Sequence, residues 1–275
     1  MMRVSTTVCG KILIEIEDTV YDASQISDGI DVQWPLPAGD PFMQIWEELT
    51  SLPLGDIQAL PGAKFSPEDL RNPIRTPNKI LGAMANYKRP DGSVADTSIR
   101  QYGFFPKANS SMISPSEGIV KHPEMETLHE PELSIVIGQT IKNANIIQAA
   151  TAITAACGSL DMTGQGDWLW SHRKSVDSYG VFDPWLTPIK GWGSASDLEN
   201  LNISLHVNGE LRQTGTTANL VEGPIDLVVM ASKYFTLYPG DIIMTGTPSG
   251  LGPVVPGDKV RMTLERIADF EVSVR

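Results

Sequence analysis

Alternating apolar and polar residues indicate strands near both ends of the chain. The segment 11–17 alternates isoleucine with leucine and glutamate, which is the period of a half-buried strand. The segment 203–207 has the same alternation and leads into Asn208-Gly209. That dipeptide favours a two-residue hairpin turn because both residues tolerate a positive φ. These patterns predict antiparallel β-structure in both regions.

Three segments instead carry signals of an α-helix. Asp40-Pro41 can open a helix whose apolar stripe has the spacing i, i+3, i+4, i+7, at Phe42, Ile45, Trp46 and Leu49. A second helix is predicted to start at Asn143 or Asn145 and to run to about Cys157, and a third to start at Pro224. Few helices among many strands predict an α+β fold that is mostly β.

A proline-rich connection divides the chain. Five prolines lie between Pro53 and Pro77, which is too many for a long regular element. The texture changes at Lys79, where a short apolar segment begins. We therefore predict a small N-terminal domain over residues 1–75 and a larger domain, carrying the chemistry, over residues 76–275.

Two glutamates stand at the start of the apolar segment 133–137. Alternate side chains of a strand project from the same face, so Glu130 and Glu132 can converge on one point. The polar segment 158–179 lies far enough along the chain to return a third carboxylate to them. The pair indicates half of a metal site, and the alternative is a solvated strand entrance in an acidic protein.

Several other chemical motifs are incomplete. The glycine-rich loop 245–252 lacks the Lys-Ser or Lys-Thr pair of a phosphate-binding loop and does not match a dinucleotide fingerprint. Ser171 and Lys174 match a Ser-x-x-Lys nucleophile pattern, but the partner motifs of that enzyme class are missing. Zinc-type histidine and cysteine spacings are also missing. A metal bound by this chain is therefore expected to have oxygen ligands.

The composition narrows the classes of partner. The 275 residues include 33 acidic and 21 basic side chains, and the net charge of -12 argues against nucleic acid or an anionic membrane as partner. The two cysteines, Cys9 and Cys157, form no disulfide framework, which is typical of a reducing compartment. No signal peptide and no apolar segment of about 18 residues is present. We expect a cytoplasmic protein that acts on a small molecule.

From Lys79 to the C-terminus the chain resembles the fumarylacetoacetate hydrolase family. The resemblance is carried by five motifs in the family's order and rough spacing: HEPELSIVIG, SLDMTGQGDW, HRKSVDSYG, VNGELRQTGTT and YPGDIIMTGTPSGLGP. It implies a mixed β-roll core, usually dimeric, and a divalent cation held by two glutamates and an aspartate. By motif position these ligands are Glu130, Glu132 and Asp161.

The resemblance also implies roles for other residues. Lys174 would stabilise a developing oxyanion, and Thr247 would contact the substrate. Further substrate contacts are expected at Tyr87, Arg89, Gln165, Asp177 and Arg212, although a structural role for Arg212 is at least as good an interpretation. Three carboxylates without sulfur or imidazole favour Mg²⁺, with Mn²⁺ or Ca²⁺ as alternatives.

The chain departs from the family at the segment expected to supply a base. Many hydrolytic members follow their Asn-Tyr with a His-x-x-Glu dyad that activates water, whereas residues 88–93 read KRPDGS. Asp91 and His129 are the candidate catalytic substitutes, with His172 a further option. Lys88, Arg89 and Arg100 lie in the same region and are suited either to gripping a substrate carboxylate or to a solvated loop.

Three functions remain open at this point. The leading hypothesis is a Mg²⁺-dependent hydrolase that cleaves a carbon–carbon bond of a β-diketo or acylpyruvate substrate through a metal-bound enolate. The second is a decarboxylase, tautomerase or dehydratase that acts on a 2-oxo acid through the same enolate, and the missing His-x-x-Glu dyad favours it. The third is a binding homologue without turnover.

Overall fold

The computed structural model describes residues 1–29 and 38–275. Its strands, in chain order, are β1 (Met2–Thr7), β2 (Ile12–Ile16), β3 (Thr19–Asp22), β4 (Leu70–Arg71), β5 (Ile80–Ala83), β6 (Phe104–Lys107), β7 (Met112–Ile113), β8 (Thr127–Leu128), β9 (Pro131–Ile137), β10 (Ile153–Asp161), β11 (Thr163–Gly164), β12 (Gly180–Phe182), β13 (Thr187–Pro188), β14 (Asn202–Val207), β15 (Glu210–Thr216), β16 (Ile242–Met244), β17 (Pro253–Val254), β18 (Lys259–Leu264) and β19 (Ala268–Ser273).

The α-helices in the described part of the chain are short. They are α1 (Met43–Ser51), α2 (Leu54–Ala59), α3 (Ile99–Tyr102), α4 (Ile146–Ala152), α5 (Trp170–Lys174) and α6 (Pro224–Tyr234). None of these helices combines the length and the apolar character that crossing a membrane requires. The predicted class, α+β and mostly β, is confirmed.

A mixed sheet of eight strands forms the centre of the molecule. Its order is β6-β5-β16-β9-β10-β12-β7, with β13 also paired to β10. The pairs β16–β5 and β12–β7 are parallel, and the other pairs are antiparallel. Strands β5, β16 and β9 lie between the edge strand β6 and β10. Lys107 at the end of β6 nevertheless donates to Asp161 at the end of β10, which shows that the sheet curls. The curl creates the concave surface on which the site is built.

The N-terminal sheet packs against the central sheet. Its order is β3-β2-β1-β4, and its buried side chains share a hydrophobic cluster with those of β9, β10 and β16. Helix α1 adds its predicted apolar stripe to that cluster, while Asp40 accepts a hydrogen bond from the Phe42 amide at 2.9 Å. The predicted helix and its apolar stripe are confirmed, although the helix begins at Met43 and not at Asp40-Pro41. The division into two domains near residue 75 stays a prediction.

Two smaller sheets cover the C-terminal part. The first has the order β15-β14-β18-β19, and the second has the order β11-β8-β17. Asn208 and Gly209 connect β14 to β15 with φ angles of 53° and 82°, as the predicted hairpin turn requires. The loop between β16 and β17 carries the glycine-rich segment to the open end of the central sheet.

The predicted second helix is wrong in its length. Helix α4 ends at Ala152, and Ile153 starts strand β10 instead of continuing the helix to Cys157. The start at Asn145 is confirmed, since its side chain accepts a hydrogen bond from the Gln148 amide at 2.9 Å. Strand β10 has almost every side chain buried, so its two faces show no alternation. A strand buried on both faces cannot be told from a buried helix by its apolar period.

A buried carboxylate follows strand β12. The backbone amide of Asp183 donates to the Gly158 carbonyl at 2.9 Å, and one carboxylate oxygen accepts from the Trp185 amide at 2.9 Å. The other oxygen has no hydrogen-bond partner among residues 1–29 and 38–275. Burial raises the pKa of Asp183 to about 7, although the Trp185 hydrogen bond opposes the shift.

We predict that Asp183→Asn stabilises the protein at alkaline pH. A carboxyl whose pKa in the folded state exceeds its unfolded value destabilises the fold as the pH rises from about 4 to 7, the interval between the two values. The shift corresponds to about 4 kcal/mol once the buried group is ionised. Thermal unfolding should show the Asp183→Asn variant gaining more on the wild type at pH 8 than at pH 5. An equal difference at both pH values would contradict the prediction.

Candidate active site and metal centre

Three carboxylates meet at one end of the central sheet. Glu130 directly precedes β9, Glu132 lies within it, and Asp161 ends the neighbouring strand β10. The antiparallel register pairs Ser159 with Glu132, and the Asp161 amide donates to the Glu130 carbonyl at 2.9 Å. One ligand oxygen of each of the three carboxylates lies within 4.8 Å of the others. We call Glu130, Glu132 and Asp161 the carboxylate triad.

Two buried lysines neutralise part of the carboxylate triad. The Lys174 ammonium donates to Asp161 Oδ2 at 2.6 Å and to Glu130 Oε2 at 2.9 Å. The Lys107 ammonium donates to Asp161 Oδ1 at 2.7 Å and also to the Lys174 carbonyl. Asp161 is therefore held between two ammonium groups, and Glu130 is also fixed by a hydrogen bond from the Thr163 hydroxyl.

Glu132 has a different environment from the other two carboxylates. Within the described residues it has no salt-bridge partner, and it accepts a hydrogen bond from the Gly246 amide at 2.6 Å. Gly246 has a φ of +102°, and a Cβ there would lie 3.1 Å from the Asn86 side chain. The Asn86 amide in turn donates to the Thr245 carbonyl at 2.9 Å. A glycine at 246 thus lets the loop bring a backbone donor to Glu132.

Burial and charge shift the pKa values in opposite directions. Burial and the Asp161 charge raise the pKa of Glu132 well above its usual range. Burial opposes ionisation of Asp161, but Lys107 and Lys174 hold its pKa below the usual value. Burial likewise disfavours the Lys174 ammonium, but the charges of Asp161 and Glu130 raise its pKa. Lys174 therefore stays protonated and acts as a donor, not as a base.

The carboxylate triad fits a hard divalent cation. Its donors are oxygen atoms, which Mg²⁺, Mn²⁺ and Ca²⁺ prefer in proteins. Glu132 is the member without an ammonium partner in the described part of the chain, so added positive charge would be most favourable beside it. With all three carboxylates ionised, as metal ligands must be, the two lysines leave the carboxylate triad one positive charge short of neutrality.

A cavity of about 550 Å³ opens over the carboxylate triad. Its floor contains the three carboxylates and Lys174, and one side is formed by the loop after β16. Aromatic and apolar side chains form much of the remaining wall: Met84, Tyr87, Tyr102, Phe105, Leu128, Trp170, Pro248 and Leu251. A concave, mostly apolar space with a few converging polar groups is typical of a small-molecule site.

Four of the residues predicted to bind substrate line this cavity: Tyr87, Arg89, Gln165 and Thr247. The Tyr87 hydroxyl is buried and has no hydrogen-bond partner in the described structure, and burial together with the Glu132 charge raises its pKa. The Thr247 hydroxyl accepts from the Gln213 amide at 3.0 Å. Tyr87 thus offers an unused donor close to the carboxylate triad.

The other predicted residues lie outside the cavity wall. Asp91 is exposed and accepts hydrogen bonds from Ser93, which lower its pKa. Asp177 is also exposed, and Arg212 is exposed and paired with Glu210 at 3.3 Å. None of these three residues lines the described cavity. Their predicted roles stay predictions.

His129 is buried behind the cavity. The Gln213 amide nitrogen donates to Thr247 and to the Pro248 carbonyl, so the Gln213 oxygen accepts from Nδ1–H of His129 at 2.6 Å. Nε2 then carries no proton and has no partner within the described residues. Burial lowers the pKa of His129 and favours this neutral form. In this position His129 supports the Thr247 loop, and its predicted catalytic role is untested.

Sequence reasoning missed Lys107 as a site residue. This lysine ends an apolar strand, Phe104–Lys107, and a single charge at the end of such a strand is a usable signal. Its partner Asp161 lies 54 residues further along the chain. Only the curl of the sheet brings the two side chains together.

The chain matches the model of the fumarylacetoacetate (FAA) hydrolase C-terminal domain over residues 79–275. It belongs to the fumarylacetoacetate hydrolase family. The family predicted from the five motifs is thereby confirmed. The match starts close to the predicted domain boundary and includes each member of the carboxylate triad.

Similar proteins include two maleylpyruvate hydrolases. The enzyme of Aquipseudomonas alcaligenes is 36% identical over 272 residues, which is 94% of each chain. The second is the enzyme from Sphingobium sp. SYK-6, whose crystal structure is in complex with manganese(II) ion and pyruvate. Its sequence is 30% identical to this chain, and the two structures superpose with a TM-score of 0.81 over 99% of this chain and 98% of that one. These similarities confirm the family's β-roll fold and the prediction of a metal-dependent hydrolase.

A third relative represents another reaction class. Oxaloacetate tautomerase YcgM of Escherichia coli K12 is 36% identical over 149 residues, which cover 50% of this chain and 65% of that protein. The similarity to this enzyme is therefore limited to part of the chain.

We predict that Tyr87→Phe lowers kcat/KM roughly tenfold without lowering Tm. The hydroxyl has no partner to lose inside the described protein, whereas a substrate oxygen would lose one hydrogen bond. Steady-state kinetics and thermal unfolding of the same preparation check the two effects. A fall in Tm with unchanged kinetics would show that the hydroxyl is structural.

We predict that Lys107→Met destabilises the metal-free protein by about 3–5 kcal/mol, because a buried ion pair loses one partner. Mn²⁺ should raise Tm more in this variant than in the wild type, since the cation replaces the missing charge. The control is Lys190→Met, whose exposed pair with Glu47 should be worth less than about 1 kcal/mol. The measurement is Tm as a function of Mn²⁺ concentration for the wild type and both variants. An equal rise in Tm for Lys107→Met and the wild type would contradict the prediction.

Proposed function

We propose that this chain is a divalent-metal-dependent hydrolase that cleaves an acylpyruvate into pyruvate and a carboxylic acid. The observation that carries the proposal is the carboxylate triad beside Lys174 on the floor of a cavity of about 550 Å³. The similarity to maleylpyruvate hydrolases extends over nearly the whole chain and supports the acylpyruvate class.

Glu130, Glu132 and Asp161 would hold the metal. A bound cation would supply positive charge that stabilises the electron pair released when the carbon–carbon bond breaks. We propose Mg²⁺ because the donors are oxygen atoms, and Mn²⁺ is the alternative supported by the Sphingobium complex.

Protein donors would surround the oxygen that becomes negative. Lys174 keeps its proton because the neighbouring carboxylates raise its pKa, so its ammonium can stabilise developing negative charge. Tyr87 adds a neutral donor that stays protonated. The apolar side chains of the wall would lower the local polarity around these interactions, which strengthens them.

Within the described residues, the site offers no clear general base for the activation of water. The described cavity wall contains no histidine, and its carboxylates are those of the triad. Asp91 and His129 stay predictions, because each would have to move to reach a substrate in the cavity. The loop around residue 91 borders the cavity through Lys88, Arg89 and Pro90, so it is the segment whose closure would bring Asp91 nearer.

The second candidate function is decarboxylation or tautomerisation of a 2-oxo acid. These reactions need the same triad and Lys174 but no activated water. The absence of a histidine from the described cavity wall favours them, as does the partial similarity to oxaloacetate tautomerase.

We also propose a homodimer in the cytoplasm. Large apolar side chains stay exposed on the described surface, among them Leu169, Ile146 and Ile147, and a partner subunit would cover such residues. Cys9 and Cys157 are unpaired, in keeping with a reducing compartment. Light scattering coupled to size-exclusion chromatography measures the oligomeric state.

A product assay separates the functions. Purified protein with Mg²⁺ or Mn²⁺ is expected to release equimolar pyruvate and carboxylic acid from an acylpyruvate, and EDTA should abolish the release. Loss of a residue that only orients a metal ligand typically lowers activity about 10–100-fold. Asp161→Asn removes a ligand itself and should lower the rate of pyruvate release by more than that.

Other outcomes would overturn the proposal. Turnover of oxaloacetate without cleavage of any acylpyruvate would favour the second function. Mn²⁺ binding without turnover would favour a binding homologue. Activity that survives EDTA and Asp161→Asn but is lost in Ser171→Ala would restore the serine mechanism.

A further inference from the structure

Three unpaired cations line the cavity of a protein whose net charge is -12. They are Lys88, Arg89 and Arg173, and none forms a salt bridge within residues 1–29 and 38–275. An acidic protein has many carboxylates with which such cations can pair. Three such cations in the wall of one cavity therefore favour a ligand with negative charge beyond the group that the metal would bind.

Arg173 is the cation of this group with a fixed orientation. Its Nε donates to the Gly164 carbonyl at 2.5 Å, and its Nη2 donates to Gln165 Oε1 at 3.0 Å. Its guanidinium carbon lies 4.6 Å from the centroid of the Trp170 indole. The second terminal nitrogen, Nη1, makes no hydrogen bond within the described structure. Two hydrogen bonds and a stacking contact thus hold the plane while one edge stays free.

The position of Arg173 relative to the carboxylate triad is set by Trp170. The Lys174 ammonium, which contacts Asp161 and Glu130, lies 5.9 Å from the Trp170 ring that the guanidinium of Arg173 stacks on. Both cations therefore contact one indole ring along the same cavity wall. The distances of 4.6 Å and 5.9 Å to one ring are short enough that we expect a small molecule with a carboxylate at each end to reach both.

Lys88 and Arg89 differ from Arg173. Both are exposed and lie on the turn in which the Arg89 amide donates to the Ser93 carbonyl, but their side chains are not held by hydrogen bonds to described residues. They increase the attraction of an anion without fixing where it binds. A fixed guanidinium with a free edge is the group suited to select a carboxylate by geometry.

We infer that Arg173 binds a second carboxylate of the substrate and selects dicarboxylic acylpyruvates over monocarboxylic ones. The inference rests on the proposed function for the first carboxylate and the 2-oxo group. Its chemistry is recognition only, since Arg173 holds no proton that the reaction uses. If Arg173 only stabilised the local fold, its hydrogen bonds through Nε and Nη2 would be sufficient. The free Nη1 edge is explained by binding of a substrate carboxylate.

The test uses two 2-oxo acids of equal length. In saturating Mn²⁺, calorimetry compares 2-oxoglutarate with 2-oxopentanoate, which carries a methyl group in place of the second carboxylate. The wild type should bind 2-oxoglutarate more tightly. Arg173→Met should weaken 2-oxoglutarate about 10–100-fold and leave 2-oxopentanoate nearly unchanged. Arg173→Lys should lie between them, because an ammonium lacks the planar fork.

A matched control is available elsewhere on the surface. Arg266 is exposed and stacks on Trp192 at 4.8 Å, outside the cavity. Arg266→Met removes the same type of arginine–tryptophan contact and should leave the preference for 2-oxoglutarate intact. Unchanged Mn²⁺ affinity in Arg173→Met would show that the carboxylate triad is undisturbed.

The outcomes separate the inference from the proposed function. Equal weakening of both 2-oxo acids, or no preference in the wild type, would overturn the inference even if acylpyruvates are cleaved. A preference lost in Arg173→Met would support it even if no acylpyruvate is cleaved, and the proposed function alone would then fail. With cleavage, kcat/KM of Arg173→Met should fall for succinylpyruvate and not for acetylpyruvate.

Discussion

The Asp161 carboxylate, buried between two ammonium groups, connects the parts of the fold that build the site. Lys107 comes from an edge strand of the curled sheet and Lys174 from a short helix, and both donate to this one side chain. Neither lysine is stable at its depth without a carboxylate, and Asp161 is not stable there without them. The curl of the sheet and the charge of the site therefore depend on each other.

With its three carboxylates ionised, the triad carries one negative charge that the two lysines do not balance, and a bound cation would balance it. Glu132 shares the pocket of negative charge but has a backbone amide instead of an ammonium group in the described structure. Against Trp170, Arg173 presents a guanidinium without an acidic partner among the described residues. The cavity thus has a place for a cation at the carboxylate triad and for an anion at Arg173, with an aromatic wall beside them.

The fold was predictable where local physics decides it. Asn208-Gly209 forms its hairpin because both residues tolerate positive φ, and the stripe from Phe42 to Leu49 is buried as its spacing indicates. The prediction that extended α4 to Cys157 was wrong, because β10 is buried on both faces and loses the alternation that marks a strand. Local pattern was informative only where one face meets water.

The sequence by itself determined the carboxylate triad as candidates and the family to which the chain belongs, because alternate glutamates on a strand and ordered motifs are local features. Only the tertiary structure decided that Lys107 joins the triad, that Arg173 faces the cavity, and that Asp91 and Asp177 lie outside it. The physical reason is that a pattern of apolar residues reports which face of an element is buried. It does not report which side chain, 54 residues away, meets that face.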